Sequence, residues 1–139
     1  MAEHTMTPQQ AIKYIILDDI FYSAGEVLAP NMTGDMVDAA YDAAVEEGRH
    51  YDAEYEARSG QVETGLDCPL SRHYEAKAVA AKAPNGQWVG WTYWYGGGKH
   101  SEPEAIPWME DAYFLDCLEE EKVVTVRTFT KSGAEECKA

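Results

Sequence analysis

The sequence has few of the features by which enzymes and exported proteins are usually recognised. Its three cysteines, at positions 68, 117 and 137, lack the CxxC spacing of zinc sites and leave one thiol over from any disulfide pairing. The first ten residues lack the basic and apolar regions of a signal peptide, and no apolar run approaches membrane-spanning length. We therefore expect a cytoplasmic protein that holds no metal and no cofactor.

Basic residues are also scarce. Eleven lysines and arginines oppose 25 aspartates and glutamates, which gives a net charge of −14. Such a charge disfavours direct binding to nucleic acid or to an anionic membrane surface. Asp38, Asp42 and Glu46 recur every four residues and form one acidic stripe on a predicted helix. The stripe is either a solvated face or a surface that imitates DNA phosphates and occupies a nucleic-acid-binding enzyme.

Length and composition indicate one folded domain. The chain has 139 residues, of which 45% are hydrophobic, enough to form a core without disulfides or metals. We predict a helical part over about residues 7–59, a β-hairpin part over about 73–131 and a mobile tail over 132–139. The expected fold is α+β, with two N-terminal helices packed on a four-stranded, mainly antiparallel sheet.

The helix signals lie in the N-terminal half. Thr7, Pro8 and Gln10 have the spacing of a capping box with proline in the first turn, which predicts a helix beginning there. This helix is expected to run to about Ala29, with Gly25 as an alternative, earlier end. A second helix is predicted from residue 33 or 35 to about residue 59, with a loop over residues 60–72.

The dipeptide Asn85-Gly86 predicts a two-residue type I′ hairpin turn. That turn would place Ala80 opposite Trp91 and Ala78 opposite Tyr93, on a face that we expect to be core. Trp88 and Trp94 would lie on the other face. They would need a cover there, from another layer, a second subunit or a planar ligand.

Two further strands are predicted near the C-terminus, over residues 112–118 and 122–130. They are joined by three glutamates at positions 119–121. The stretch KVVTVRTFT is dense in β-branched residues, so we expect it to be a central strand with the residues 112–118 as its antiparallel neighbour.

Three consecutive glycines after the aromatic strand allow a ligand to approach the backbone closely, and the following lysine and histidine suit an anion. A glycine bulge that only turns the chain is the alternative interpretation. The GxxxxGK[ST] spacing of a Walker loop is missing, and no residues have a recognised catalytic arrangement, so we expect no enzymatic activity. The predicted ligand-binding residues are Trp88, Trp94, Tyr95, Gly96, Gly97, Gly98, Lys99, His100 and Arg127.

The block GQWVGWTYWYGGGKHSEPEAIPWMEDAYFLDC, followed by EEEKVVTVRTF, resembles small uncharacterised proteins of phages and prophages. The resemblance covers roughly the last 50 residues of the domain. It implies a phage-type anti-defence protein in the host cytoplasm, in the manner of proteins that sequester nucleotide-like immune signals at subunit interfaces. The expected partners are therefore a nucleotide-like anionic small molecule or a host defence protein, with the chain itself a homodimer or higher homo-oligomer. An acidic DNA-mimic inhibitor of a host defence complex of restriction or CRISPR type, acting through Asp38, Asp42 and Glu46, is the alternative, and a structural or assembly module is the second alternative.

Overall fold

The computed structural model describes residues 6–29, 31–98 and 102–132. Three helices precede a four-stranded antiparallel sheet with the strand order β1-β2-β3-β4, which confirms the α+β fold. Two short 3₁₀ turns lie between the third and fourth strands. The bounds are α1 Pro8–Ser23, α2 Gly34–Glu46, α3 Tyr51–Ala57, β1 Val62–Glu63, β2 Glu75–Lys82, β3 Trp88–Tyr95 and β4 Tyr113–Leu115.

The predicted start of the first helix is confirmed in detail. The Thr7 hydroxyl accepts from the Gln10 N–H at 3.2 Å, and the Thr7 N–H donates to Gln10 Oε1 at 2.9 Å. This reciprocal pair satisfies two N–H groups that the first turn leaves without helical partners. The second helix begins as predicted, with Thr33 as its N-cap.

The first two helices end earlier than the predicted ends at about Ala29 and about residue 59. At Gly25, the Glu26 N–H reaches back to the Phe21 carbonyl at 2.8 Å, the bond of a Schellman motif. A matching bond ends α2 at Gly48, so the predicted second helix is two helices. Both glycines have positive φ, 73° and 70°, which side chains with a Cβ disfavour. The alternative end at Gly25 was therefore the correct one, and Ala29 was wrong.

The core lies between the helices and one face of the sheet, which we call the helix face. Ile12, Ile16 and Leu17 of α1 are fully buried against Val37 of α2 and Trp91 of β3. Each such side chain contributes about 1.5–3 kcal/mol when it leaves water. No helix in the described ranges has both the length and the apolar character that crossing a bilayer requires.

The hairpin between β2 and β3 forms, but its turn differs from the prediction. Pro84, Asn85 and Gly86 make a three-residue loop, in which the Gly86 N–H donates to the Ala83 carbonyl at 2.8 Å. Gly86 has φ +93°, whereas Asn85 does not have the positive φ that a type I′ turn requires. Proline favours the second position of a type I turn, and the glycine then supplies the left-handed residue of a bulge.

The longer loop shifts the register of the hairpin by one residue. Trp91 pairs with Val79, so the predicted pairing of Trp91 with Ala80 is wrong. Val79 and Trp91 share the helix face, whereas Ala78 and Ala80 lie on the opposite side, which we call the outer face. The predicted faces of β3 are correct, and those of β2 are reversed.

The two edge strands are short. β1, Val62–Glu63, lies in the stretch that was predicted to be a loop, and β4 pairs with only three residues of β3. Gly90 makes the β4 pairing possible, because a Cβ there would lie 2.7 Å from Tyr113 Cε1 and 2.8 Å from Leu115 Cδ1. The predicted central strand over residues 122–130 is wrong: this stretch is exposed and has no regular structure.

Candidate functional site

Strand β3 carries the aromatic residues for which the sequence predicts ligand contacts. Trp88 and Trp94 lie on the outer face at opposite ends of the strand, about 20 Å apart at roughly 3.3 Å per residue. Tyr95 points to the helix face, since successive side chains alternate. The three side chains therefore do not line one pocket.

The other predicted ligand residues follow the strand. Gly96, Gly97 and Gly98 have φ values of 72°, 95° and 91°. Lys99 and His100 lie outside the described residues, and Arg127 is exposed in the irregular C-terminal stretch. The binding role of these residues stays a prediction.

A different group of aromatic and basic side chains does come together, on the helix face at the C-terminal end of β3. Tyr93 and Tyr95 stack with their ring centroids 5.3 Å apart and 21° between planes. Lys77 Nζ lies 5.8 Å from the Tyr93 centroid and 5.5 Å from the Tyr95 centroid. The Arg58 guanidinium carbon lies 5.0 Å from the Tyr93 centroid and 5.2 Å from that of Tyr55. We call these five residues the tyrosine–cation cluster.

Arg58 lies at the C-terminal end of α3, and two hydrogen bonds fix it to strand β3. The Arg58 carbonyl accepts from Trp91 Nε1 at 2.8 Å, and Arg58 Nη1 donates to the Trp94 carbonyl at 2.8 Å. Trp91 is itself fixed, because it is fully buried and its ring packs 5.3 Å from that of Trp108. The guanidinium is therefore positioned by the core and not by a flexible loop.

The charge of Arg58 is poorly compensated. The residue is 6% exposed, and its Nε is buried without a hydrogen-bond partner. Among the described residues, no carboxylate lies within the 4.0 Å of an ion pair with this guanidinium. Burying a cation without a counter-charge costs several kcal/mol, which contacts with two aromatic rings offset only in part. The cluster therefore has an unmet preference for negative charge.

Lys77 is the half-buried cation of the cluster, with 37% of its side chain exposed. Its ammonium group donates to Glu63 Oε2 at 3.0 Å, and this hydrogen bond raises the pKa of Lys77 above its usual value. Water reaches both side chains of this ion pair, so it contributes little to stability. A ligand anion can therefore displace the Glu63 carboxylate from Lys77 at little cost.

The acidic stripe that was predicted on the second helix is partly neutralised. Asp38 Oδ2 accepts from Gln10 Nε2 at 2.7 Å, and its Oδ1 accepts from Lys13 Nζ at 3.1 Å. The hydrogen bond from Gln10, together with Lys13, lowers the pKa of Asp38. Asp42 and Glu46 remain exposed on the same helix.

Carboxylates also line two clefts between α1 and α3. One cleft of about 320 Å³ contains Asp18, Asp19 and Glu56, and another of about 570 Å³ contains Asp19, Asp52 and Glu56. All four side chains are exposed. Because like charges repel, the first cleft does not suit an anionic ligand. The second also contains Arg49, which already pairs with Glu26 and Glu47.

Comparison with protein-family models, curated protein sequences and solved structures finds no match to this chain. Function is therefore inferred from the side chains of the chain itself. Sequence reasoning missed Arg58, Lys77, Tyr55 and Tyr93 as site residues. The sequence did contain a signal for Arg58, which is one of only two basic residues between positions 35 and 63.

Proposed function

We propose that this protein is a non-enzymatic binder of a planar, anionic small molecule of nucleotide type. The observation that carries the proposal is the buried Arg58 guanidinium, which lies between two tyrosine rings without a counter-ion among the described residues. Positive charge beneath aromatic rings attracts an anion, and an exposed ring face accepts a base.

The members of the tyrosine–cation cluster have different roles in this proposal. Tyr95, half-buried at the end of the strand, offers its ring for stacking. The phosphate displaces the Glu63 carboxylate and pairs with the Lys77 ammonium group. The buried Arg58 guanidinium adds a fixed positive potential beneath the site. Three glycines follow Tyr95, with the Glu75 carboxylate beside the first of them, 3.2 Å from where a Cβ of Gly96 would lie, and Lys99 and His100 are the next residues along the chain.

Sequestration of an immune signal by a phage-type protein is the biological setting that we propose for such binding. The support comes from the resemblance of the C-terminal residues to phage proteins. Sequestration needs affinity and no chemistry, which agrees with a site built from rings and cations.

A thermal-shift and fluorescence titration tests the proposal. The purified protein is screened against linear and cyclic nucleotides, because a ligand that binds only the native state raises the melting temperature. Tyr95→Ala should weaken binding of a hit by about 5- to 150-fold, the loss of one stacked ring. Lys77→Met should weaken it and reduce its dependence on salt.

Tyr22→Ala is the matched control, because Tyr22 is 83% exposed on α1 and outside the cluster. Its affinity should equal that of the wild-type protein. A Trp94→Ala, Lys99→Ala double variant tests the site that was predicted from sequence. The proposal is wrong if no nucleotide binds, or if Tyr95→Ala and Lys77→Met bind as tightly as the wild-type protein.

Inhibition of a nucleic-acid-handling defence complex is a second candidate function. The exposed carboxylates of Asp18, Asp19, Asp52 and Glu56 favour it, since they line neighbouring clefts and form no ion pair among the described residues, whereas Asp38 on α2 is paired with Lys13. Binding to such a complex should weaken with salt and be lost when Asp19 and Glu56 are changed to lysine. Equal affinity after this charge reversal would exclude the candidate.

A further inference from the structure

The residues 122–130, which we call the C-terminal segment, have a strand-like sequence but no partner strand among the described residues. Val123, Val124, Val126 and Phe129 are 103%, 73%, 80% and 85% exposed. Val124, Val126 and Thr128 alternate with Val123, Thr125, Arg127 and Phe129, the period of a β-strand. A long, unpaired β-prone stretch is a hazard for aggregation unless another chain covers it.

The connection to the rest of the chain disfavours pairing of the segment with its own β4. The residues between β4 and the segment are DCLEEE, which carry four carboxylates and lack the glycine, proline or asparagine of a tight turn. Charged connections repel themselves and extend. At about 3.3–3.6 Å per residue, six residues can span roughly 20 Å, far enough to reach a neighbouring molecule.

The sheet offers an acceptor for a strand. β4 is the last strand in the order β1-β2-β3-β4, so its outer edge has no partner strand in the described chain. On the outer face, a mostly apolar cleft of about 310 Å³ extends from β1 across the sheet to Leu115 of β4 and the residues 116–118 that follow it. Its apolar lining includes Val62, Leu66, Ala80, Trp88, Leu115 and Leu118. A strand added at β4 would pair with the edge and bring apolar side chains next to this cleft.

The charge of the C-terminal segment indicates which strand can pair with the β4 edge. Residues 122–132 contain three basic side chains and no acid. The rest of the chain has eight basic and 25 acidic residues. A basic strand is thus complementary to the acidic body of this same protein, and a second copy provides that body together with the free β4 edge.

We propose that two copies of the chain exchange their C-terminal segments, each segment adding a strand to β4 of the other copy. The exchange is reciprocal, so the dimer closes and leaves neither segment exposed. It also brings apolar side chains next to the outer-face cleft that Trp88 lines. The proposal does not depend on ligand binding at the tyrosine–cation cluster.

Sedimentation velocity and native mass spectrometry of the full chain test this exchange. We expect a dimer for the wild-type protein. A Val124→Asp, Val126→Asp double variant should raise the dimer dissociation constant by at least about 100-fold, because four buried valines per dimer become charged. These residues are exposed in the single chain, so the variant should keep the helical signal of the wild-type circular dichroism spectrum and lose only the strand contribution of the exchanged segments.

A Val27→Asp, Leu70→Asp variant is the matched control. Val27 is 91% exposed and Leu70 is 96% exposed. Both lie outside the proposed interface, so this variant should remain a dimer. Hydrogen exchange should show slow amides over residues 123–129 in the wild-type dimer and fast amides in the monomeric variant.

Three results would overturn the proposal. The first is a wild-type protein that is monomeric at every concentration. The second is a Val124→Asp, Val126→Asp variant that dimerises as strongly as the wild-type protein. The third is slow exchange over residues 123–129 in a monomer, which would mean that the segment pairs within its own chain.

Discussion

Replacing Trp91 with phenylalanine tests whether the core positions the tyrosine–cation cluster. Trp91 is fully buried, its indole N–H donates to the Arg58 carbonyl at 2.8 Å, and its ring packs against Trp108. Phenylalanine keeps a ring in the core but cannot donate. Leaving the buried carbonyl unpaired costs about 1–3 kcal/mol, and the space left by the smaller ring costs about 1 kcal/mol more.

The free energy of unfolding should therefore fall by about 2–4 kcal/mol, measured by urea denaturation with an unchanged slope. Trp108→Phe is the matched control, because it shrinks the same ring pair and leaves the bond from Trp91 to Arg58 intact. We expect Trp108→Phe to cost about 1–2 kcal/mol. If the two variants differ by less than about 0.5 kcal/mol, the hydrogen bond does not stabilise the end of α3 as argued.

The same pair of variants connects stability to binding. Trp91→Phe loosens the residue that carries the buried guanidinium, so nucleotide affinity should fall even in the fraction that remains folded. Trp108→Phe should leave the affinity close to that of the wild-type protein. An unchanged affinity in Trp91→Phe would mean that Arg58 does not contribute to the ligand site.

Three further substitutions test the sheet and the helix pair. Gly90→Ala should lower the free energy of unfolding by about 1–3 kcal/mol, because the new Cβ would lie 2.7 Å from the Tyr113 ring. Gly86→Ala should cost about 1–2 kcal/mol, because φ is +93° in the hairpin loop. Asp38→Asn should cost about 0.2–1 kcal/mol at neutral pH through weakened pairing with Lys13.

The last of these predictions has a defined pH dependence. The pKa of Asp38 is lowered in the folded protein, first by the hydrogen bond from Gln10 and then by Lys13. Its stabilisation is present above the ordinary aspartate pKa of about 4 and is lost as the pH falls through the lower folded value. Chemical denaturation at several pH values should show the difference between wild type and Asp38→Asn closing below about pH 4. Asp42→Asn, at an exposed position on the same helix, should show no such difference.

The local chemistry of the chain was sufficient to predict where its first two helices begin and which face of β3 is buried. A capping box needs only residues three apart, so Thr7 and Gln10 form it whatever lies beyond them. The alternation along β3 likewise predicts that Trp91 is buried and Trp94 is on the other side, because the period of a strand is local.

Tertiary structure decided what depends on distant partners. A three-residue loop in place of a two-residue loop moved the register by one residue and turned Ala80 to the outer face. The tyrosine–cation cluster required the break at Gly48, because the separate helix α3 brings Arg58 to Tyr93, 35 positions further along the sequence.

The C-terminal segment shows the same division between local and distant causes. Its sequence predicts strand from the density of β-branched residues, which is a local preference. A strand also needs a neighbour for its backbone, and no described part of this chain provides one to residues 122–130. The sequence by itself determined the starts of α1 and α2 and the alternation of faces along β3. The register, the cluster and the missing strand partner were decided by tertiary structure, because each depends on groups brought together from far apart in the chain or from outside it.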